Sequence, residues 1–469
     1  MKRLSQKGSL FRFRLKVQFY TIYQNIILTF RIIEELFQSY YNYCMIVPDT
    51  SSKPPSDSAP AVGLFGLPII VAALGYFVDI YDLLLFGIVR VPSLKDLGLT
   101  PDQISTVGGR IINWQMGGLL LGGILWGVLG DKRGRLSVLF GSIITYSIAN
   151  IACGFVKHVT FMDPVQYYAL MRFVAGVGLA GELGAGITLV SEILPKEKRA
   201  IGTSLVAGVG VLGAVVAYFT VKLFDWEMAF LVGGGLGFGL LLLRFGVIES
   251  GMFTRITEQK HVSRGNFFSF FTNADRLSRY LKCIGVGIPS WFVTGILASF
   301  SNEFGKAWGI AEEIQPGLAI TCLYIGMAIG DLSNGFISQA LASRKKAIAL
   351  FMAIAFVFSF ICLYSGIKSA TVFYVLCLGL GFGNGYWAMF VTISAEQFGT
   401  NLRATAATTV PNMVRAFLIP MTLSYQALKP SLDVINAGAV VGLVTFIIGF
   451  YAILTIPETH DKDLNYLEE

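Results

Sequence analysis

Charged residues lie inside several long apolar runs of this sequence, where they could hold an ion or exchange a proton. Asp79 and Asp82 are three residues apart, so a helix would place both on the same face. Arg110 lies in the next apolar run, and Arg172 and Glu182 lie in a glycine-rich run further on. An unpartnered charge at the centre of a bilayer costs at least about 2.5 kcal/mol, so such residues normally face protein or a water-filled path.

We expect Asp79, Asp82, Arg110 and Arg172 to form one charge cluster. At about 1.5 Å of rise per residue in a core of about 30 Å, their depths approach each other, and Glu182 falls about ten residues deeper. A nearby arginine favours the ionised carboxylate whereas desolvation favours the protonated one, so access to water or substrate could switch the acids. This pattern predicts proton coupling, with Asp82 the preferred acid ahead of Asp79 and Glu182. A static buried ion pair is the alternative.

A second group of polar and aromatic residues lies in the later apolar runs and is the candidate substrate site. It consists of Trp291, Asp331, Asn384, Trp387, Asn412 and Arg415. Arg415 could bind a carboxylate or phosphate through its planar guanidinium. Alternatively, Asp331 and Arg415 could neutralise each other. An aromatic residue such as Trp291 is more often a packing residue than a substrate platform.

The composition identifies the elements that must position these residues. The chain has 469 residues, of which 54% are hydrophobic and only 14% are charged, and its mean hydropathy is +0.65. These values predict a polytopic membrane protein. The net charge of +7 comes from basic residues in short loops, so nucleic-acid binding is not expected.

Cysteine and histidine positions argue against catalysis and metal binding. The six cysteines are scattered without paired spacing, which predicts neither a disulfide framework nor a metal site. The three histidines lie at loop or tail positions, and no nucleophilic triad or phosphate loop occurs in context. We therefore expect no enzyme activity, no metal and no cofactor.

Twelve apolar windows are long enough to cross a bilayer as helices. They cover about 64–90, 103–129, 137–157, 164–194, 201–224, 228–248, 281–304, 316–341, 347–367, 370–398, 404–428 and 433–456. Basic residues concentrate in the loops 130–136, 195–200, 249–282 and 342–346. The positive-inside rule therefore predicts that these loops and both termini are cytoplasmic, in a multi-pass protein of a bacterial-type inner membrane.

The windows predict two six-helix bundles with short flanking segments. The predicted division is 1–63 as a cytoplasmic extension and linker, 64–248 as the first bundle, 249–280 as a connector, 281–456 as the second bundle and 457–469 as a tail. Met45 is an alternative natural start, because a linker rich in serine and proline follows it. A monomer surrounded by lipid is expected.

Short motifs recur in the two predicted bundles in the same order. Glu192 precedes Arg199 by seven residues and Glu396 precedes Arg403 by seven, an offset of 204 between the pairs (192 to 396). Such a parallel repeat is common in secondary transporters. The repeat residues and the loop after span 2 supply acids and bases at the cytoplasmic helix ends. They could form an inner gate, in which acid–base pairs across the two halves hold one conformation and break in the other. The candidates are Asp131, Arg133, Arg135, Glu192, Arg199, Glu396 and Arg403. Topology signalling is the alternative, although it would not explain the carboxylates.

The loop from Gly127 to Arg135, with the sequence GVLGDKRGR, resembles the signature loop between spans 2 and 3 of the major facilitator superfamily. Arg172 with the glycines that follow it resembles the span 4 motif of that family. Asp82, the Gly181-Glu182 pair and the segment 247–250 are similar to its metabolite:proton symporters and sugar-porter-like carriers. The resemblance implies an all-α fold of twelve transmembrane helices in two pseudo-repeats, which transports by alternating access.

Some residues depart from the pattern of that family. Lys132 replaces the usual arginine, and the corresponding loop in the second half, 343–346, lacks its aspartate. Span 5 lacks the proline typical of drug/proton antiporters. The last departure weakens an efflux interpretation.

The leading prediction is a secondary active transporter that imports a small anionic or zwitterionic metabolite together with protons. A drug or metabolite efflux antiporter and a sugar carrier are the alternatives within transporters. A membrane sensor that has lost transport is the alternative from another class.

Overall fold

The structure is a computed structural model that describes residues 66–133, 135–182, 184, 186, 190, 194, 196–249, 267–460 and 468, and the regular elements within these residues are helices. The predicted extension 1–63 lies outside the described residues. The first half of the molecule contains α1 (Leu67–Asp96), α2 (Pro101–Arg133), α3 (Arg135–Gly154), α4 (Pro164–Leu179), α5 (Lys196–Val211), α6 (Gly213–Leu223) and α7 (Trp226–Glu249). A single 3-10 turn at Val156–His158 separates α3 from α4.

The second half begins with a 3-10 turn at Phe267–Phe271. It then contains α8 (Ala274–Phe292), a π-helical turn (Val293–Ala298), α9 (Ser301–Ala307), α10 (Pro316–Ala340), α11 (Arg344–Tyr364), α12 (Ala370–Asn384), α13 (Trp387–Glu396), α14 (Thr400–Ala416) and α15 (Leu418–Thr455). The apolar window placed the start of span 7 at residue 281, but α8 begins at Ala274. The window missed the first turns of this helix because they are polar. The domain boundaries proposed from the sequence remain predictions.

Nine stretches of the described residues are long and apolar enough to cross a membrane. The last of them, Thr405–Thr455, supplies two crossings because the backbone breaks at Asp433, where φ is 67°. The Asp433 carboxylate accepts hydrogen bonds from the backbone N–H groups of Ile435 and Asn436 at 2.8 and 2.9 Å, and so caps the helix that follows. The shorter helices α3 and α4 complete twelve crossings.

Glycine pairs in the two halves reveal the internal repeat. A Cβ atom at Gly118 or Gly122 in α2 would overlap backbone carbonyl oxygens of α4, and a Cβ at Gly326 or Gly330 in α10 would overlap those of α12. Both glycines of one pair lie 208 residues from their counterparts (118 to 326, 122 to 330). Helix backbones can approach this closely only where both positions lack a side chain. The two halves therefore build the same helix contact with the same spacing.

The halves meet along two seams. Helix α2 packs against α14 in one seam, and α5 packs against α10 in the other. The repeat relates span 2 to span 8 and span 5 to span 11, so it exchanges the two seams. Helices α1, α8, α10, α13 and α14 converge between the seams, and they carry the residues of the candidate site.

Candidate functional site

A buried ion pair joins the two halves near the middle of the bundle. The Oδ2 atom of Asp79 in α1 lies 3.6 Å from Nη2 of Arg415 in α14, and the two side chains are 0% and 1% exposed. Nη1 of Arg415 donates a hydrogen bond to Oδ1 of Asn412 at 3.2 Å. Within the described part of the chain, the other guanidinium nitrogens and both carboxylate oxygens of Asp79 have no hydrogen-bond partner. The two charges are therefore close but incompletely satisfied.

A small cavity lies beside Arg415. Both halves contribute to its wall, which consists of Tyr76, Ile80, Leu83, Ser290, Trp291, Thr294, Tyr324, Met327, Trp387 and Arg415. The guanidinium carbon of Arg415 lies 5.9 Å from the ring centre of Trp387, and the buried indole Nε1 of Trp387 has no acceptor among the described residues. The cavity therefore combines aromatic walls with buried N–H donors that an acceptor could occupy.

The predicted substrate residues divide into two groups. Arg415, Trp387 and Trp291 line the cavity, whereas Asp331, Asn384 and Asn412 do not. The amide of Asn384 donates to the carbonyl oxygen of Ser290 at 3.4 Å, and that of Asn412 donates to Ala180 at 2.9 Å and to Thr408 at 2.8 Å. These two asparagines hold backbone in place behind the cavity.

The proposed pairing of Asp331 with Arg415 is wrong. Oδ1 of Asp331 accepts a hydrogen bond from the backbone N–H of Ala388 at 3.1 Å, in the first turn of α13. A carboxylate stabilises the positive end of a helix at this position. Asp331 therefore orients α13, which in turn places Trp387 at the cavity.

Sequence reasoning missed most of the cavity wall, although a signal was present. Tyr76, Ile80 and Leu83 have the spacing i, i+4, i+7 in α1, so they form one helix face that also includes Asp79. The charge at Asp79 marked that face as one directed at the protein interior.

The predicted cluster of four charges around Arg172 does not form as expected. Asp79 pairs with Arg415, and Arg110 lies on the exposed side of α2. The depth of a residue along a helix follows from counting residues, but the direction of its side chain depends on how the helix is rotated. Only Asp82 and Arg172 of the predicted four come together.

Arg172 is bound by oxygen atoms of neutral groups. Its Nε donates to Gln115 at 3.3 Å, its Nη1 to Asn150 at 2.8 Å, and its Nη2 to the backbone carbonyl of Asp82 at 2.9 Å. The Asp82 carboxylate is fully buried, and neither of its oxygens has a hydrogen-bond partner among the described residues. Gly233 in α7 leaves room for it, since an added Cβ there would lie 2.5 Å from Oδ1.

Glu182 pairs with Arg244, a residue that sequence reasoning missed. Both guanidinium Nη atoms of Arg244 in α7 donate to the Glu182 carboxylate, the Nη1 to Oε2 distance being 3.1 Å. Gly75 in α1 faces this pair closely, and a Cβ atom there would collide with Glu182 Oε1. The available signal was that Arg244 is a lone cation inside an apolar run. Glu182 is therefore a member of a separate buried ion pair.

The proposed inner gate is only partly described. The side chains of Asp131, Arg133, Arg135, Glu192 and Arg199 lie outside the described residues. Arg403 is half-buried near the start of α14. Glu396 is bound by Nε and Nη2 of Arg344 at 2.6 and 2.8 Å and accepts a hydrogen bond from Thr459 at 2.7 Å. Contrary to the prediction, this acid–base pair lies within the second half, because the start of α11 and the end of α13 adjoin there.

A polar network joins the two halves at the end of the bundle that the sequence predicts to face outward. Nη2 of Arg90 in α1 donates to the carbonyl oxygen of Ser299 at 2.8 Å. Glu303 in α9 lies 2.9 Å from Lys429 in α15 and accepts a hydrogen bond from Ser105 in α2 at 2.7 Å. These contacts link α1 and α2 of the first half to residues of the second half at that end of the bundle. Sequence reasoning did not single out these residues, because each stands near the end of an apolar window.

Metal binding finds no support in the described residues, which contain no group of three or more histidine, cysteine, aspartate or glutamate side chains placed to hold an ion.

Comparisons with known proteins agree on one family. A sequence model of the Major Facilitator Superfamily matches residues 72–422. A Haemophilus influenzae protein described as a metabolite transport protein is 29% identical over 411 residues, which cover 85% of this chain and 97% of the relative. The niacin transporter of Acinetobacter baylyi is 25% identical over 395 residues, which cover 74% of this chain and 83% of the relative.

A solved structure has the same architecture. The crystal structure of a D-xylose-proton symporter matches with a TM-score of 0.59 at 15% sequence identity, over 84% of this chain and 98% of that chain. At this identity the likeness concerns the fold. The prediction of twelve transmembrane helices in two pseudo-repeats is confirmed.

Proposed function

Since this chain belongs to the major facilitator superfamily of membrane transporters and is not an enzyme, we propose that it carries a small anionic metabolite together with protons by alternating access. The observation that carries this proposal is the buried Asp79–Arg415 pair, which joins the two halves beside the central cavity with a separation of 3.6 Å. Ionisable residues within a transporter bundle are functional by default. Arg415 is proposed as the anion site and Asp79 as the proton site.

Charge balance links the two sites. An anionic substrate that binds the guanidinium of Arg415 competes with the carboxylate of Asp79 for the same positive charge. Two buried carboxylates beside one cation leave an excess negative charge, which is costly in a desolvated site. A proton taken up by Asp79 removes that excess. Substrate and proton therefore load together, and each favours the release of Asp79 from Arg415.

The position of the pair also explains how loading affects conformation. Asp79 belongs to the first half and Arg415 to the second, so their contact couples the two halves directly. Neutralising Asp79 weakens this contact and lets the halves move along the seams α2–α14 and α5–α10. The network of Arg90, Glu303 and Lys429 opens when the cavity faces the other side. Asp82 remains a second candidate for the proton, since its carboxylate is equally buried.

The substrate charge has independent support. The relative from Acinetobacter baylyi is named for niacin, which is a small carboxylic acid. The likeness to a D-xylose-proton symporter is one of fold, so it does not favour a sugar. Both halves of the site come from one chain, which is consistent with a working monomer.

Uptake into proteoliposomes tests the proposal. Vesicles with purified protein are given labelled small carboxylates with an acidic exterior. If one proton moves with each anion, a gradient of about one pH unit drives about tenfold accumulation, because 1.4 kcal/mol is a factor of ten. Asp79→Asn should abolish accumulation but allow the anion to equilibrate. Asp82→Asn, one helical turn away, is the matched variant, and it should keep accumulation if Asp79 is the proton site. Wild-type uptake that ignores the pH gradient would refute proton coupling.

A further inference from the structure

The geometry points to a substrate that carries a single carboxylate on one flat aromatic ring, with the indole N–H of Trp387 assisting Arg415 in binding the carboxylate. This inference rests on the proposed function, because it takes the cavity beside Arg415 to be the substrate site. It adds the chemical class of the substrate and a second residue that recognises it.

Three buried donors at the cavity lack acceptors. Nε and Nη2 of Arg415 and Nε1 of Trp387 have no hydrogen-bond partner among the described residues. Leaving a buried donor unpaired costs free energy, and native structures seldom tolerate it without a reason. The two oxygens of a carboxylate can accept from a guanidinium in a bidentate arrangement and still accept from a neighbouring N–H. A ligand carboxylate would therefore satisfy the three donors together.

The substrate should carry one negative charge. Arg415 is the only charged residue among the described residues that line the cavity. Asp79 lies beside it and would repel a second carboxylate even if one proton were shared. A second anionic group would be buried without a cation, which is strongly unfavourable. Dicarboxylates are thus disfavoured.

Four of the ten residues that line the cavity are aromatic, which favours a substrate with a ring. The rings of Trp291 and Trp387 lie 6.5 Å apart at an angle of 68°, and Tyr76 and Tyr324 also face the cavity. Aromatic rings favour edge-to-face or offset contacts with a further ring. The wall also carries four hydroxyl groups, on Tyr76, Ser290, Thr294 and Tyr324.

The cavity is small, with about 10 Å³ of space, which is room for roughly one water molecule. Its walls must therefore move apart to admit a substrate, and a single ring needs less movement than a fused bicyclic acid.

Calorimetric titration of the purified protein at fixed pH tests this class without any gradient. Benzoate is the probe, and it is compared with cyclohexanecarboxylate, benzamide and phthalate. We expect cyclohexanecarboxylate to bind about 3–10-fold more weakly, since an aromatic contact contributes about 0.5–1.5 kcal/mol. Benzamide lacks the charge and should bind at least about tenfold more weakly, because hydrogen bonds to charged groups contribute about 1.5–3 kcal/mol. Phthalate adds a second charge that would be buried without a cation, so it should also bind at least about tenfold more weakly.

A tryptophan variant tests the assisting donor. Trp387→Phe keeps an aromatic ring and removes the N–H, so it should weaken benzoate binding about tenfold and weaken benzamide binding less. Trp308→Phe is the matched control, because Nε1 of Trp308 already donates to the carbonyl of Leu363 at 3.3 Å, away from the cavity. Its benzoate affinity should equal that of the wild type.

The failures of the two proposals can be told apart. Equal binding of benzoate and cyclohexanecarboxylate, tighter binding of phthalate, or no binding of benzoate would overturn the substrate class. Proton-driven uptake of another anion by the same preparation would leave the proposed function standing. If Trp387→Phe binds benzoate as the wild type does, the assisting role of the indole is overturned.

Discussion

Arg172 in the first half and Arg415 in the second half are both completely buried, and the surroundings of these two arginines differ. Arg172 in the first half places each of its three nitrogen atoms against an oxygen of Gln115, Asn150 or the Asp82 backbone. Arg415 in the second half has one good hydrogen bond, to Asn412, and a longer contact with Asp79. Each nitrogen of Arg172 thus has a partner from within the protein, whereas Nε and Nη2 of Arg415 have no hydrogen-bond partner among the described residues.

The difference shows how burial and function can be separated. Burial alone would give both residues the same role, since their exposed fractions are 0% and 1%. A guanidinium whose three nitrogens each donate to a neutral oxygen orders the helices around it. A guanidinium with unpaired donors beside a cavity is expensive to maintain unless a ligand uses it.

The largest expected effect is on transport by variants of Arg415. Arg415→Gln should lower initial uptake of the substrate anion about 100-fold, because it removes charged hydrogen bonds that contribute about 1.5–3 kcal/mol each. Arg415→Lys keeps the charge but loses the planar fork, and should lower uptake about tenfold. Uptake is measured in proteoliposomes, and an unchanged size-exclusion profile serves as the folding control. Near-normal uptake by Arg415→Gln would show that Arg415 does not bind the substrate and does not differ from Arg172 in this respect.

Changing Arg172 should affect folding more than substrate recognition. Arg172→Gln leaves buried oxygens without donors, at a cost of about 1–3 kcal/mol for each unsatisfied group. We expect a clearly lower melting temperature in detergent, while the folded fraction keeps wild-type substrate affinity. Arg110→Gln is the control at an exposed arginine and should change stability by no more than about 0.5 kcal/mol. A large loss of affinity in folded Arg172→Gln protein would place this arginine in the binding site instead.

The smallest expected effect concerns Asp331. Asp331→Asn keeps an oxygen that can accept from the N–H of Ala388, so uptake should stay within about threefold of the wild type, in line with the modest energies of helix caps. Asp331→Ala removes the acceptor and should cost about 0.5–2 kcal/mol of stability. A loss of uptake by Asp331→Asn as large as that of Arg415→Gln would restore the discarded pairing of these two residues.

The sequence predicted the architecture well because apolar length, basic loops and motif spacing each act locally along the chain. Asp79, Asp82, Arg172 and Arg415 were also recognised as buried, since charges in apolar runs must avoid lipid. Their partners could not be predicted, because a pairing such as Asp79 with Arg415 depends on the rotation of two helices in different halves. Residue counting gives depth and leaves rotation undetermined.

Arg244 and Arg90 were missed for a related reason. Each is a single cation within an apolar window, and such a residue can equally extend its side chain to the membrane surface. The structure instead buries both, with Arg244 on Glu182 and Arg90 on Ser299. Only contacts between distant segments distinguish the two outcomes.

The glycine pairs at 118/122 and 326/330 limit where this transporter can bend. Two helices that touch backbone to backbone have no flexible side chains between them to absorb sliding. We therefore expect α2 and α4 to move together as a rigid pair, and α10 and α12 to do the same. Flexing is then left to the interrupted helices, such as span 10 at the junction of α12 and α13, where the chain departs from helix just ahead of Trp387. A hinge at that junction would move one wall of the cavity, so movement of these helices would also change the shape of the binding site.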